Sequence, residues 1–410
     1  MTSGFVLYDD AAARALEPFA LTRPWGEVRA GALAIRERWS RLLGTRARGT
    51  ATSPHLATFD ETGAPRAVRG ALSTGTVIVN ARFAPALRGA GDRLAALAPG
   101  GSLRAGGRVA AVALATPLNA AVLADGALDL DDLARGRGQR VDGWWMDAPW
   151  DLVAALPAML AADAAVLATE CDGDAPHHVA VLGEHRLVVA PGAYVEPHVV
   201  VDTTEGDVIV HEGARVGAFA RIAGPAVIAA HARLAGGRYS CVSIGPHSRA
   251  CGEMSVVVVD GYSNKAHDGF VGHTAIGRWA NLGAGTITSN LKNSYGPVRV
   301  RDARGEHDTG QQFLGSLVGD HAKTAIGTRL TTGTIIGAGA NVFGDRTPDK
   351  YVPPFAWGDR APFAQYNPAK FLSVAATVMK RRQVRLSAGM KVVLAAAAAA
   401  SGPASRRRRR

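Results

Sequence analysis

The sequence predicts an α/β layered domain, then a parallel β-solenoid, then a C-terminal helix. Three observations carry this. Strand-like and helix-like stretches alternate through residues 1–185. From about residue 186 to 345, aliphatic residues recur at a spacing of six. Beyond that, an apolar stripe at helical spacing follows a proline.

In the first region, "FVLYDD" and "GTVIVNARFAP" read as apolar strands running into polar turns. "GALAIRERWSRLL" reads as an amphipathic helix with Leu33, Trp39 and Leu42 or Leu43 on one side. "PWDLVAALPAMLAADAAVL" predicts a further helix after its proline.

In the second region, Val210, Val216, Ile222, Ile228 and Leu234 are spaced by six, and small residues (Ala214, Ala220, Ala226, Ala232) stand two positions before the last four. The pattern returns at Ile276, Leu282 and Thr288, and again at Val318, Thr324, Leu330, Ile336 and Val342. A period of six suits neither a helix nor a long alternating strand. It suits short strands that stack coil upon coil, with the aliphatic residue inside and the small one at a tight corner. Gly217, Gly277, Gly283, Gly319 and Gly337 follow the aliphatic position and are expected to relieve strain at turns. The pattern breaks from Leu234 to Ile276 and from Thr288 to Val318, which predicts loops on the binding face.

After the last repeat, "YVPPFAWG" predicts an extended segment across the solenoid end. "NPAKFLSVAATVMKRRQVRLSAGMKVVL" predicts one helix, with Pro368 early, Phe371, Val374 or Ala375, Val378 and Leu386 on its apolar stripe, and Lys380, Arg381 and Arg382 outside it; packing is the favoured role, and phosphate contacts from Lys380 to Arg385 are the alternative. The terminal "SRRRRR" after an alanine-rich stretch reads as a disordered basic tail over 399–410.

Bulk composition narrows the classes. The chain has 410 residues, 47% hydrophobic and 20% charged, which suits a globular protein with a large core. No apolar run reaches the ~18 residues that span a bilayer. Cys171, Cys241 and Cys251 have neither metal-type spacing nor an even count for disulfides, so a reducing cytoplasm is expected. The net charge of +11 rests partly on the terminal arginines, and no aromatic–basic motif of an RNA-binding module is present, so nucleic acid is not the expected partner.

The hexad region resembles the left-handed parallel β-helix of the hexapeptide acyltransferases. Within it, "NKAHDGFVGHTAIGRWANLGAGTITSN" resembles the acetyltransferase half of the bifunctional N-acetylglucosamine-1-phosphate uridyltransferases. The resemblance implies acetyl transfer from acetyl-CoA to an amino-sugar phosphate in a homotrimer with sites between subunits. It implies His267 as general base, Asn281 and Asn290 as site residues, and acetyl-CoA contacts at Ala284 and Thr328. Phe270 stands where the family has tyrosine, and Ser255 where it has a phosphate-binding lysine. Lys265 and Lys292 are the candidates to replace that charge. His273 reads as a solvated loop histidine. An imidazole suits the base role, because its pKa of ~6.5 lets it accept a proton near neutrality.

"LEPFALTRPWGEVRAGALAIRERW" resembles a divergent branch of the sugar nucleotidyltransferases, implying a Rossmann-like domain that binds a sugar phosphate or nucleotide sugar. Of the family's glycine-rich phosphate loop only Thr22-Arg23 remains, with Arg29 near the place of the lysine. Arg82 falls where the family has its Mg²⁺-binding aspartate, and an arginine does not ligate a cation. Nucleotide binding is thus expected at Thr22, Arg23, Arg29 and Arg82, with the arginines supplying phosphate-binding charge, and Mg²⁺ is not supported. Two functions stay open: a transferase, or a non-catalytic sugar-nucleotide-binding or scaffold protein that keeps the fold.

Overall fold

Phe5–Tyr8, the first aliphatic run, is fully buried at the interior of a six-stranded sheet. The computed structural model describes residues 4–89, 94 and 96–401, so most of the basic tail lies outside the described residues. Two compact units divide the described residues: those up to Ala148 with Ser387–Ala397, and Pro149–Leu386 with Ala398–Ser401.

In the first unit, Phe5–Tyr8 lies between Ala47–Ala51 and Val77–Asn80 and runs parallel to both. Arg108–Ala113, Ser102–Ala105 and Gln139–Arg140 extend the sheet beyond Val77–Asn80. Parallel strands with both faces covered read as unbroken aliphatic runs, which explains "FVLY" and "VIVN". The helix Ile35–Leu43 buries Ile35, Trp39 and Leu42, and Gly44 ends it at φ 64°. The C-terminal ends of Phe5–Tyr8 and Val77–Asn80 deliver Asp9, Asp10, Asn80 and Arg82 to one edge. In open α/β sheets that edge is where ligands bind.

The second unit is a β-solenoid with three faces, running from Ala180 to Trp357. Ala180–Leu182 starts the first face, Leu187–Val189 the second, and Tyr194–Val195 the third, and each pairs in parallel with its successor one coil on. Every aliphatic hexad residue from Val210 to Val342 is buried, and Thr288 and Thr324 fill the same interior position.

The first gap in the hexads is not a gap in the solenoid. Along the second face Ile228 pairs with Ile244, Ile244 with Val259 and Val259 with Ile276, so coils of sixteen, fifteen and seventeen residues replace the eighteen between Val210 and Ile228. Short corners shift the sequence phase while the rungs continue. The second gap is a true insertion. Ile276 pairs with Val318, and the long coil between them holds the hairpin Arg299–Asp302 and Gly305–Asp308.

The corner glycines also act differently from expectation. Gly277, Gly283 and Gly337 do not have the left-handed backbone. A Cβ on each would come within 2.5 Å of the next coil, so glycine there permits close approach between coils. In five consecutive coils the left-handed positions between the second and third faces go to His231, His247, Tyr262, Trp279 and His321, at φ between 55° and 61°, while the coils on either side place Gly213 and Gly339 there. Their rings form a ladder, with centroids 4.9, 4.7, 4.3 and 6.3 Å apart in turn. Stacking offsets the cost, on the order of 1–3 kcal/mol, of such a backbone at a non-glycine residue.

Two further elements depart from the sequence reading. The segment "YVPPFAWG" does not lie across the solenoid end. It is itself coil, with Tyr351–Val352 on the second face and Trp357 beside Asn341 on the third. The predicted C-terminal helix is two helices, Pro368–Lys380 and Ala388–Ala400. Residues of the second pack in the first unit, where Ser387 Oγ and Asp60 Oδ1 are 2.5 Å apart. The helix Leu156–Glu170, read from sequence with the N-terminal domain, packs on solenoid strands of the second unit.

Candidate functional site

His267 is exposed at the corner between the third and first faces. That corner is held from inside. On the rung Asn264–Lys265, Lys265 occupies the interior position that Leu234 and Leu282 fill on other coils, and it is 2% exposed. Its ammonium donates to the backbone carbonyls of His267 and of Asp268, the latter at 3.0 Å. Burial depresses its pKa, with Cys251 and Asp268 pulling the other way. A buried ammonium is costly, and an aliphatic side chain would fill the space without that cost. Lys265 therefore acts on the corner, and it is not placed to receive a substrate phosphate.

Asn281 points outward on the third face, and its Oδ1 accepts from Asn264 Nδ2 at 2.9 Å. Ala284 and Thr328 occupy the same corner as His267 in the next two coils. Gly285 N donates to Asp268 O at 3.1 Å, and Gly327 N to Ala284 O at 2.7 Å, tying the three corners in sequence. Thr328 is 9% exposed, and its hydroxyl donates to Ala325 O at 2.8 Å. One edge thus gathers His267, Ala284 and Thr328, flanked by the amides of Asn264 and Asn281.

Asn290 lies elsewhere, at the corner between the first and second faces. Its Nδ2 donates to His273 Nδ1 at 2.9 Å, and the His273 ring stacks on Phe313 with centroids 5.2 Å apart. His273 is therefore not a solvated loop residue. It ends a first-face strand at φ 46°, and burial lowers its pKa, which keeps the ring neutral near pH 7. The Phe270 ring and the Asn290 amide close over Gly272, where a Cβ would meet them at 2.5 and 2.7 Å. The Lys292 ammonium donates to Pro297 O at 3.1 Å. Within one chain, the width of the first face separates His267 from Asn290. Sequence spacing did not reveal the role of His273, because its corner is assigned only once the seventeen-residue coil is known.

In the first unit the expected phosphate ligands have other partners. Arg23 is 1% exposed and bridges to Glu61 at 3.2 Å. Arg29 donates to Ala32 O, and Thr22 is buried. Arg82 forms a salt bridge with Asp10 at 2.7 Å and another with Asp147, and lies over the Trp145 ring. Arg108 reaches both Asp147 oxygens at 2.9 Å and also covers Trp145. Burial would raise the pKa of Asp10, but the hydrogen bond and charge of Arg82 outweigh it and hold the carboxyl below its ordinary value. Asp9 is the opposite case. Its buried carboxyl is pushed up to about 6 by desolvation against hydrogen bonds from Thr52 and the Trp25 amide.

Asp10, Asn80, Arg82, Arg108 and Trp145 line a cavity of about 300 Å³ at the strand ends. The Mg²⁺ that the nucleotidyltransferase resemblance brings with it does not fit. The Arg82 guanidinium fills the gap between Asp10 and Asp147 where a divalent ion would need oxygen ligands. Asp9, Asp10 and Asp147 were missed in the sequence. The signal present was a pair of carboxylates directly after the aliphatic run "FVLY".

Residues 5–172 match the model of a family described as sugar nucleotidyl transferase. A bifunctional sugar-1-phosphate nucleotidylyltransferase/acetyltransferase of Sulfurisphaera tokodaii is 32% identical over 87 residues, 21% of either chain. The bifunctional protein GlmU of Methanococcus maripaludis is 32% identical over 92 residues, 21% of this chain and 22% of its own. The matched stretches thus span about a fifth of these curated relatives. Among solved structures, a variant of AntD, an N-acyltransferase from Bacillus cereus in complex with dTDP-4-amino-4,6-dideoxyglucose and coenzyme A, is 10% identical. The match covers 49% of this chain and 91% of that one, with a TM-score of 0.21. PerB from Caulobacter crescentus, in complex with CoA and GDP-perosamine, is 16% identical over 45% of this chain and 58% of that one, with a TM-score of 0.16. Among the described residues, no helix is long and apolar enough to cross a membrane.

Proposed function

We propose that the chain is a transferase acting on sugar phosphates or nucleotide sugars, and that its solenoid moves an acetyl group from acetyl-CoA to the amine of an amino-sugar phosphate. The observation that carries this reading is the His267 corner: an exposed imidazole whose backbone is fixed from the interior by Lys265, beside the paired amides of Asn264 and Asn281.

In this reading His267 takes the proton from the ammonium of the acceptor. The freed nitrogen attacks the thioester carbonyl, and the N–C bond forms as the C–S bond breaks. That proton then passes to the departing thiolate of CoA, and the second proton of the acylated nitrogen leaves through the freed imidazole to solvent, so that a neutral amide, the CoA thiol and one proton are produced. Amide N–H groups of Asn264 and Asn281 are the donors assigned to the oxyanion in this reading. The acetyl-CoA contacts at Ala284 and Thr328 continue along the same edge. Asn290, Phe270 and Lys292 lie across the first face, so their part in one site requires the corner of a second subunit, as a homotrimer would supply. Acetyl-CoA turnover against a panel of amino-sugar phosphates and nucleotide sugars tests the reading. No turnover with any of them would reject it.

For the first unit a second reading is favoured by Arg82: binding of a sugar nucleotide without nucleotidyl transfer. With its metal position occupied by a guanidinium, the unit is expected to release no pyrophosphate from UTP and a sugar-1-phosphate in the presence of Mg²⁺. Enzyme-like rates, strictly Mg²⁺-dependent, would overturn this.

A further inference from the structure

We propose that the outward column Arg215–Arg233–Arg249 on the third face of the solenoid, with Arg381 and Arg382 beside it and Tyr194 at its end, binds the nucleoside diphosphate part of a ligand. The site lies on the opposite side of the His267 rung from Ala284 and Thr328. It stands independently of the acyl-transfer reading.

The register carries the argument. Arg215 pairs with Arg233, and Arg233 with Arg249, in direct alignment on successive parallel strands. All three are exposed, and each is followed by a buried Val216, Leu234 or Ala250 that points the other way. Like charges directly opposite across a sheet are destabilising. Among the described residues none of the three has an acidic partner, whereas Arg221 on the first face pairs with Asp202 at 2.7 Å.

The turn after helix Pro368–Lys380 adds Arg381 and Arg382. Arg382 is half-buried; burial, then the charges of Arg249, Arg381 and Arg233, lower its pKa, so these three cations lie within electrostatic reach of it. Five guanidinium groups, none with an acidic partner among the described residues, make a site for a multivalent anion. Planar, forked donors suit phosphate oxygens in particular. Rungs about 4.8 Å apart give the three arginines a span of about 10 Å, enough for a diphosphate and a neighbouring phosphate.

The ends of the column narrow the class. The rung before Arg215 carries Tyr194, half exposed, whose ring offers a nucleobase a stacking surface. The rung after Arg249 carries Asn264, which leads through its amide to Asn281 and the His267 corner. Base, phosphates and a tail toward the corner follow one another along one column. CoA and a nucleotide sugar share that order of groups.

The test uses the full chain and calorimetry with ADP, inorganic pyrophosphate, CoA and UDP-glucose as probes. ADP and pyrophosphate should bind the wild type, more weakly as salt rises. The double variant Arg233→Gln/Arg249→Gln should weaken both at least thirtyfold, with an unfolding temperature no lower than wild type. Tyr194→Ala should weaken ADP about tenfold and leave pyrophosphate unchanged. Loss in the double variant confined to CoA assigns the site to CoA, and loss confined to UDP-glucose assigns it to a nucleotide sugar. Binding that survives the double variant, or no binding at millimolar probe, overturns the proposal. So does light scattering in which the double variant dissociates an oligomer that the wild type forms, for the column would then be an interface between copies.

Discussion

The two units handle the charge at their candidate sites in opposite ways. In the first, cations close on anions: Arg23 on Glu61, Arg36 on Glu27, Arg82 on Asp10 and Asp147, Arg104 on Asp131. On the solenoid, Arg215, Arg233, Arg249 and His267 face outward with no acidic partner among the described residues, and Lys265 is turned inward to hold a corner. Charge that is satisfied within the fold is bound to its stability. Charge left open is free to meet a ligand. The same residue types therefore predict different consequences when removed.

The sharpest way to break that contrast is His267→Ala. It should leave the unfolding transition where it is and slow acetyl transfer by ~10²–10⁴, the range for a positioned general base. KM should change less than kcat, and the acidic limb of the pH–rate profile should disappear. Asn281→Ala should slow turnover with that limb intact. A turnover within a few-fold of wild type would make His267 a bystander.

Arg82→Ala is the counterpart in the first unit. It strands Asp10 and the partly exposed Asp147, so a loss on the order of 2–3 kcal/mol is expected in urea unfolding, below the ~3–5 of a fully buried pair. Mg²⁺ should leave the wild type's unfolding temperature unchanged and raise that of the variant, whose two carboxylates then share an empty gap. Stabilisation of the wild type by Mg²⁺ would contradict the ion-pair reading.

Lys265→Leu crosses the line between the units' behaviours, since Lys265 is a solenoid cation turned inward. Leucine restores the interior pattern, so stability should hold or rise. Acetyl transfer should fall about tenfold in kcat as the His267 corner loses its two carbonyl anchors, with the pH–rate limb kept. Unchanged kcat would reduce Lys265 to a packing residue.

The smallest expected effect is on pH. Burial lowers the pKa values of His247 and His273, with His231 and Arg382 adding to the effect at His247. A base whose folded pKa is depressed binds fewer protons folded than unfolded. Stability is then full above the unfolded value of ~6.5 and declines as pH falls below it. Replacing both with glutamine should flatten unfolding temperature between pH 7 and 5.5.

Much of this architecture was legible in the chain, and the parts that were not share a cause. Val210, Val216 and Ile222 announce the solenoid because an eighteen-residue coil divides evenly into sixes. Ile244 and Val259 fall out of phase because short corners remove residues without removing rungs. Lys265 hid in an aliphatic position, and its inward direction follows from register alone. Assigning His273 and His267 to different corners required coil lengths that no local motif records. The acids around Arg82 are distant in sequence: Asp10 and Asp147 lie 72 and 65 residues away.

The uneven coils have an evolutionary consequence. The corner between third and first faces is short from Arg249 to Glu253 and longer from Asn264 to Phe270, and both coils keep their rungs in register. An inserted or deleted residue there is absorbed by the turn. One placed in a second-face rung would send its aliphatic side chain to the other side of the strand. Length variation among descendants of this chain should therefore collect at the edge that carries His267, so the edge proposed for chemistry is also the one the fold leaves free to be remodelled.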